Sequence, residues 1–253
     1  MQTKVKTDSE INAMHESGRM LATVLAMLKT KLEPGMSTKD LAQLARDELR
    51  ALGGEPVFLG YQGFPDVICI SVNDEVVHGI PRSDKIIKAG DIVGFDFGVT
   101  YKGMITDGAV SVIAGGTPLS ASHAQLVVDT ERSMLAGIAS LHDGVRTGDI
   151  GSAIEASLGK KKYGIVKDLV GHGVGHELHE DPNIPNYGRQ NTGPWLKAGM
   201  TIAIEPMVTL GTERVYVAED GWTIMTQDGS WAAHFENTVL ITADGAEILT
   251  ISK

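Results

Sequence analysis

Lys88-Ala89-Gly90-Asp91-Ile92-Val93-Gly94-Phe95-Asp96 and Lys197-Ala198-Gly199-Met200-Thr201-Ile202-Ala203-Ile204-Glu205 lie 109 residues apart, and each carries an apolar, strand-like run onto one carboxylate. The same offset takes Gly35, Thr38 and Asp40 onto Gly144, Thr147 and Asp149. One offset shared by separated positions is the mark of an internal duplication. The surrounding chain repeats in the same order. Apolar residues recur at helical spacing over about 8–30 (Ile11, Met14, Met20, Leu21, Val24), and a second helix is expected over 38–52, capped by Ser37 or Thr38 and stopped by Gly53-Gly54. From 55 to 113 the pattern is that of strands. Helical spacing returns near 119–141 and 148–160. From 165 to 250 the chain is again strand-rich, with turn signals at Pro182, Pro185, Gly211 and Gly221.

These features predict an α/β (α+β) fold in a single domain spanning 1–253. Its two pseudo-symmetric halves, approximately 8–113 and 118–250, would have curved antiparallel sheet inside, helices outside and a site between them. No linker-like stretch divides them. With 42% hydrophobic residues the chain can bury a sizeable core. It has no run of 18 apolar residues, and its start, MQTKVKTDSE, is charged where a signal peptide would be apolar, so neither secretion nor membrane insertion is expected. A net charge of -10 without a Lys/Arg cluster opposes nucleic-acid binding, which requires basic side chains on phosphates. The single cysteine, Cys69, excludes an internal disulfide and a cysteine-based zinc site, which fits a reducing, cytoplasmic setting. No heptad pattern argues for assembly, and a monomer is the simpler expectation.

The chemistry is carried by acids that interrupt apolar strands. A two-residue turn at Lys102-Gly103 would pair position 98 with 107 and 96 with 109, so that Asp96 and Asp107 share one face. Glu205 and Glu236 stand in apolar strands of the second half. An unpaired carboxylate there costs several kcal/mol, and four acids repel one another, so a cation is required. Oxygen donors suit divalent ions. An imidazole would come from Gly171-His172-Gly173-Val174-Gly175-His176-Glu177-Leu178-His179-Glu180, a glycine-rich stretch poorly suited to helix. His176-Glu177-Leu178-His179 is one residue short of the HExxH spacing, which rules out the helical zinc-protease arrangement.

Together NDEVVHGIP (73–81), GFDFG, TDG, GHGVGHELHE, IEPMV (204–208) and HFENT (234–238) occur in the order found in type I methionine aminopeptidases, which the chain resembles over nearly its full length. The resemblance implies the pita-bread fold and two divalent ions, manganese, iron, cobalt or zinc, held by Asp96, Asp107, His172, Glu205 and Glu236. Asp107 and Glu236 would bridge both ions, Asp96 would bind one, and His172 and Glu205 the other. It further implies hydrolytic removal of the initiator methionine from nascent polypeptides, including those at the ribosome, preferentially when the second residue is small. A metal-bridged water would be the nucleophile, with Glu205 as general acid and base. His179 would hold the scissile carbonyl and His78 the following peptide nitrogen. The methionine pocket would be walled by Phe58, Tyr61, Phe64, Cys69 and Trp222. Leu178 departs from the aromatic residue common at its place in the family, which bears on pocket shape.

Two other functions fit the same fold. A prolidase or Xaa-Pro aminopeptidase would share the five ligands, but such relatives carry an extra N-terminal domain, whereas here the residues before Asp96 already supply the first half of the duplication. A catalytically dead scaffold would have lost ligands, and all five are present together with both histidines.

Overall fold

The protein is described from a computed structural model covering residues 3–159 and 163–251. Four helices form where the apolar spacing predicts them. Helix α1 (Asp8–Lys31) begins at a Thr7/Glu10 capping box. Helix α2 (Thr38–Leu52) begins at Ser37 and ends at Gly53 in the left-handed conformation. Helices α3 (Ala121–Ala139) and α4 (Thr147–Leu158) occupy the second half. The expected end of α4 at residue 160 lies outside the described residues.

The first-half strands are β1 (Glu55–Pro56), β2 (Cys69–Val72), β3 (Glu75–Val77), β4 (Ile92–Tyr101) and β5 (Met104–Ile113). The second half contributes β6 (Gly164–Ile165), β7 (Gly171–Gly173), β8 (Glu180–Ile184), β9 (Thr201–Ile204), β10 (Met207–Thr209), β11 (Val215–Val217), β12 (Ile224–Thr226), β13 (Ala232–His234), β14 (Glu236–Ile241) and β15 (Ala246–Ile248). The main antiparallel sheet runs β1-β4-β5-β14-β9-β7-β8, with β2 beside β4 and β15 beside β14. Strands β5 and β14 form the seam between the halves, where Ala109 faces Glu236. Smaller sheets, β13-β10-β6 and β11-β12-β3, lie alongside. Pro182, expected to mark a turn, lies inside β8 instead. That strand ends the sheet order, where a residue without an N–H is tolerated.

The duplication is visible in the hydrogen bonds. Gly35 N–H donates to the Ile87 carbonyl at 2.8 Å, and Gly144 N–H donates to Leu196 at 2.9 Å. The Ser37 N–H is taken by Asp40 at 2.9 Å, and the Arg146 N–H by Asp149 at 3.0 Å. One core packs α1 and α2 on β4 through Leu21, Leu28, Leu41, Phe95 and Phe97. Its counterpart packs α3 and α4 on β9 and β14 through Ile150, Ile154, Ile202, Ile204 and Val239. The helices therefore cover one face of the sheet. The two cores hold β4, β5, β9 and β14 as a rigid floor on which the acids are mounted.

Candidate metal centre

The Lys102-Gly103 turn sets the register of the first pair of acids. Both residues have positive φ (49° and 77°), as a type I′ turn needs, and the ladder then pairs Gly98 with Asp107 and Asp96 with Ala109. The predicted diagonal of Asp96 and Asp107 follows. Cys69 on β2 faces Asp96 across the next ladder. In the second half β9 pairs Ile204 with Asn237, which brings Glu205, the next residue along, beside Glu236.

His172 comes from β7, an extended strand rather than a helix, as the glycines on either side require. The loop that follows is fastened from the N-terminal arm. Glu180 is fully buried, pairs with the equally buried Lys6 at 3.2 Å and accepts the His176 N–H at 2.7 Å. The His176 ring reaches Glu10 of α1 at 2.7 Å. These contacts hold the turn that presents His179, whose ring lies 4.3 Å from that of His172.

Asp96, Asp107, His172, Glu205 and Glu236 line one cavity of about 270 Å³, together with His78, His179, Phe58, Tyr61, Phe64, Cys69 and Trp222. All the side chains predicted from the sequence are gathered there. Donor atoms of Asp107, His172 and Glu236 lie within 4.8 Å of one another, and so do those of Glu205, His234 and Glu236. His172 Nε2 is 3.3 Å from Glu205 Oε1. Asp96 Oδ1 and Glu236 Oε1 are buried without a hydrogen-bond partner among the described residues.

The electrostatics of the protein alone are unfavourable. Burial, and then the charge of Asp107, push Asp96 well above the ordinary carboxylate range. Burial likewise raises Glu205 and Glu236, with Asp107 the next cause for each. Asp107 itself is pushed up to about 7 by burial, although the Gly108 N–H it accepts opposes the shift. Burial drives His172 down to about 3, so it is neutral and its approach to Glu205 is not an ion pair. Its Nδ1 lies 3.0 Å from the Gly173 carbonyl and donates to it, which turns the Nε2 lone pair toward the acids. Four largely buried carboxylates, two of them with an orphaned oxygen, and an imidazole lone pair aimed among them form a donor set for divalent cations.

Beside the acids the wall turns apolar. Phe58, Phe64, Cys69 and Leu178 form one buried cluster, with Tyr61 and Trp222 packed against it. Phe64 meets the Trp222 ring edge-on at 5.2 Å. Leu178, expected only to alter pocket shape, is itself part of this wall. Burial, and then Asp96, keep the Cys69 thiol protonated, so it acts as a small apolar surface. The Tyr61 hydroxyl lies 2.8 Å from His179 Nδ1. Donation from the phenol leaves the ring proton of His179 on Nε2. His78 holds a positive φ of 60° at the end of β3, a conformation that costs about 1–3 kcal/mol and marks functional sites.

Two residues escaped the sequence reading. Gln62 lines the cavity from an exposed turn that carries no periodic signal. His234 lies two residues before Glu236, and that spacing along extended chain could have identified it.

The profile of metallopeptidase family M24 matches residues 12–243. Methionine aminopeptidase of Clostridium acetobutylicum is 43% identical over 247 residues, covering 98% of this chain and 98% of that protein. Methionine aminopeptidase 1 of Bacillus subtilis is 43% identical, covering 97% of this chain and 98% of its own. Among solved structures, methionine aminopeptidase from Thermotoga maritima superposes with a TM-score of 0.96 at 43% identity, covering 99% of this chain and 100% of that one. Prolidase from Pyrococcus furiosus has a TM-score of 0.77 at 23% identity, covering 98% of this chain and 66% of that one, and shares the pita-bread fold.

Proposed function

Because the chain belongs to metallopeptidase family M24, we infer that it is a metal-dependent aminopeptidase that hydrolyses the bond after an N-terminal methionine. The observation that carries this reading is the meeting, in one cavity, of the unneutralised acid cluster with an apolar recess of Phe58, Phe64, Cys69, Leu178 and Trp222. We read residues 1–253 as one catalytic unit.

In this reading Asp96, Asp107, His172, Glu205 and Glu236 would hold two divalent ions, manganese, iron, cobalt or zinc. When bound, the ions supply an activated water and polarise the scissile carbonyl. Glu205 would take that water's proton and return it to the leaving amine. His179, kept in one tautomer by Tyr61, donates to the carbonyl oxygen as charge develops there. His78, driven down to about 4 by burial and then His179, is neutral and meets the following peptide nitrogen. Phe58, Tyr61, Phe64, Cys69, Leu178 and Trp222 receive the methionine side chain. Crowding by His78 favours small second residues. Initiator methionines of nascent chains, met in the cytoplasm or at the ribosome by a monomeric enzyme, fit this specificity. Among the described residues no helix is long and apolar enough to cross a membrane.

The test is peptide cleavage by metal-stripped protein before and after addition of manganese or cobalt. Met-Ala-Ser should be cleaved in a metal-dependent manner, Leu-Ala-Ser and Ala-Pro-Ser at least about 100-fold more slowly. Preference for Ala-Pro-Ser would overturn the methionine assignment, and equal cleavage of Met-Lys and Met-Ala peptides would overturn the second-residue preference.

A further inference from the structure

Superposing the two ladders assigns a partner to every acid. Ile92 pairs with Ile113 in the first half and Thr201 with Leu240 in the second. The N–H groups of Ala114 and Ile241 repeat the match by donating to the carbonyls of Asp91 and Met200, each at 2.9 Å. On this alignment Asp96 falls on Glu205, as the sequence offset requires. Asp107, however, falls on His234, whereas Glu236 falls on Ala109. The second half thus places an imidazole where the first places a ligand-type carboxylate.

The surroundings of His234 agree. The residue is 4% exposed, and its Nε2 is buried with no hydrogen-bond partner among the described residues. Its backbone is pinned by Ser111, whose hydroxyl accepts the His234 N–H and donates to the His234 carbonyl, both at 2.9 Å. Nε2 lies 3.8 Å from Glu205 Oε2, and a ring nitrogen of His234 lies within 4.8 Å of a Glu236 oxygen. Two ligands of one ion, each bonded at about 2.0–2.2 Å, stand no more than about 4.4 Å apart, so the separation from Glu205 is already that of a shared ion. It is too long for a hydrogen bond. Glu205 is therefore flanked by two imidazoles, with Oε1 toward His172 and Oε2 toward His234.

We propose that His234 is a sixth protein ligand of the centre, giving the ion bound by Glu205 and Glu236 a second imidazole nitrogen. The proposal rests on the five-ligand centre described above and adds to it. Two nitrogens on one ion favour cobalt, iron and zinc, which take imidazole readily, over manganese and magnesium, which prefer all-oxygen surroundings. A neutral donor in place of a fifth carboxylate also keeps the site from accumulating further negative charge.

The experiment is a crystal structure of the full chain loaded with zinc or cobalt, the ions located by anomalous scattering, together with metal competition on the His234→Leu protein. The expected result is His234 Nε2 about 2.0–2.2 Å from an ion. The variant should lose about tenfold or more in zinc affinity and less than about threefold in manganese affinity, since a lost nitrogen ligand weakens the two unequally. An ion held by the other five residues with Nε2 more than about 3 Å away would overturn the sixth ligand and leave the centre intact. Equal losses for both metals would mean that His234 only supports Glu205, which also overturns it. No ion near the acids would overturn the centre and the sixth ligand together. Circular dichroism checks that the variant is folded, and if it is not, the wild-type structure decides alone.

Discussion

In the first half Asp96 and Asp107 are joined by a turn of two residues, whereas in the second Glu205 and Glu236 are separated by an excursion that folds into β10, β11, β12 and β13. Both arrangements end in the same antiparallel pairing. The tight turn fixes geometry alone. The excursion fixes geometry and also supplies material, because it carries Trp222 to the apolar wall and lays β12 on β3 of the first half, next to His78. The two halves thus share one floor, and the excursion adds Trp222 to a wall otherwise built from Phe58, Tyr61, Phe64, Cys69 and Leu178.

The largest effect separates the twin acids Asp96 and Glu205. Glu205→Gln should lower kcat/KM for Met-Ala-Ser by about 10³-fold, and excess metal should not restore it, because the proton carrier is gone. Asp96→Asn should lose activity chiefly through weaker binding of one ion, so titration with manganese or cobalt should recover a substantial part. Equal recovery in both variants would remove the distinction between the halves.

A second break in the symmetry is Gly98, whose twin at the same offset is the fully buried Met207. A Cβ on Gly98 would stand 2.8 Å from the Phe58 ring and 3.2 Å from Val57. Gly98→Ala should push Phe58 into the recess and raise KM for Met-Ala-Ser about tenfold with kcat little changed. An unchanged KM would show that Phe58 does not wall the methionine site.

Stability should show the shared charge of the two halves. Asp107, with its folded pKa pushed up to about 7, and Asp96, Glu205 and Glu236, also raised, stabilise the metal-free protein while protonated. That contribution is complete below the ordinary carboxylate range and is lost as pH rises through the folded values. Buried His78, His172 and His234, whose values are lowered, oppose this trend only up to their unfolded pKa near about 6.5. Between about pH 6.5 and 8, as Asp107 passes through its folded value, the metal-free protein should therefore fall in Tm by about 1–2 °C, and the metal-loaded protein by less. An effect of similar size belongs to the turn itself. Gly103 has φ of 77° and open space around it, so Gly103→Ala should cost about 1 kcal/mol, or about 2–4 °C in Tm, through backbone strain alone.

The same contrast explains what the sequence revealed. Helices α1 to α4 could be placed because each buries a long periodic face. The register of Asp96 and Asp107 could be deduced because the turn is local and of a type that dictates pairing. Strands β10 to β13 are three residues each, too short for a period to register, and their partners lie far along the chain. His234 could have been singled out by its spacing of two from Glu236, but its equivalence to Asp107 appears only when β9 and β14 are seen to pair. The pocket residues were found through the family likeness, since aromatic side chains in short loops look the same in the sequence whether they wall a cavity or fill a core.

The β5–β14 seam also makes the enzyme a coincidence detector of its own completion. Asp96 and Asp107 lie on one side of the exposed Thr117–Ser120 connection, and His172, Glu205 and Glu236 lie on the other. Neither half holds more than part of the donor set. On the proposed ligand set, affinity for divalent ions should emerge only when the two halves dock. On that assignment such a chain should process no other protein until its own fold is complete.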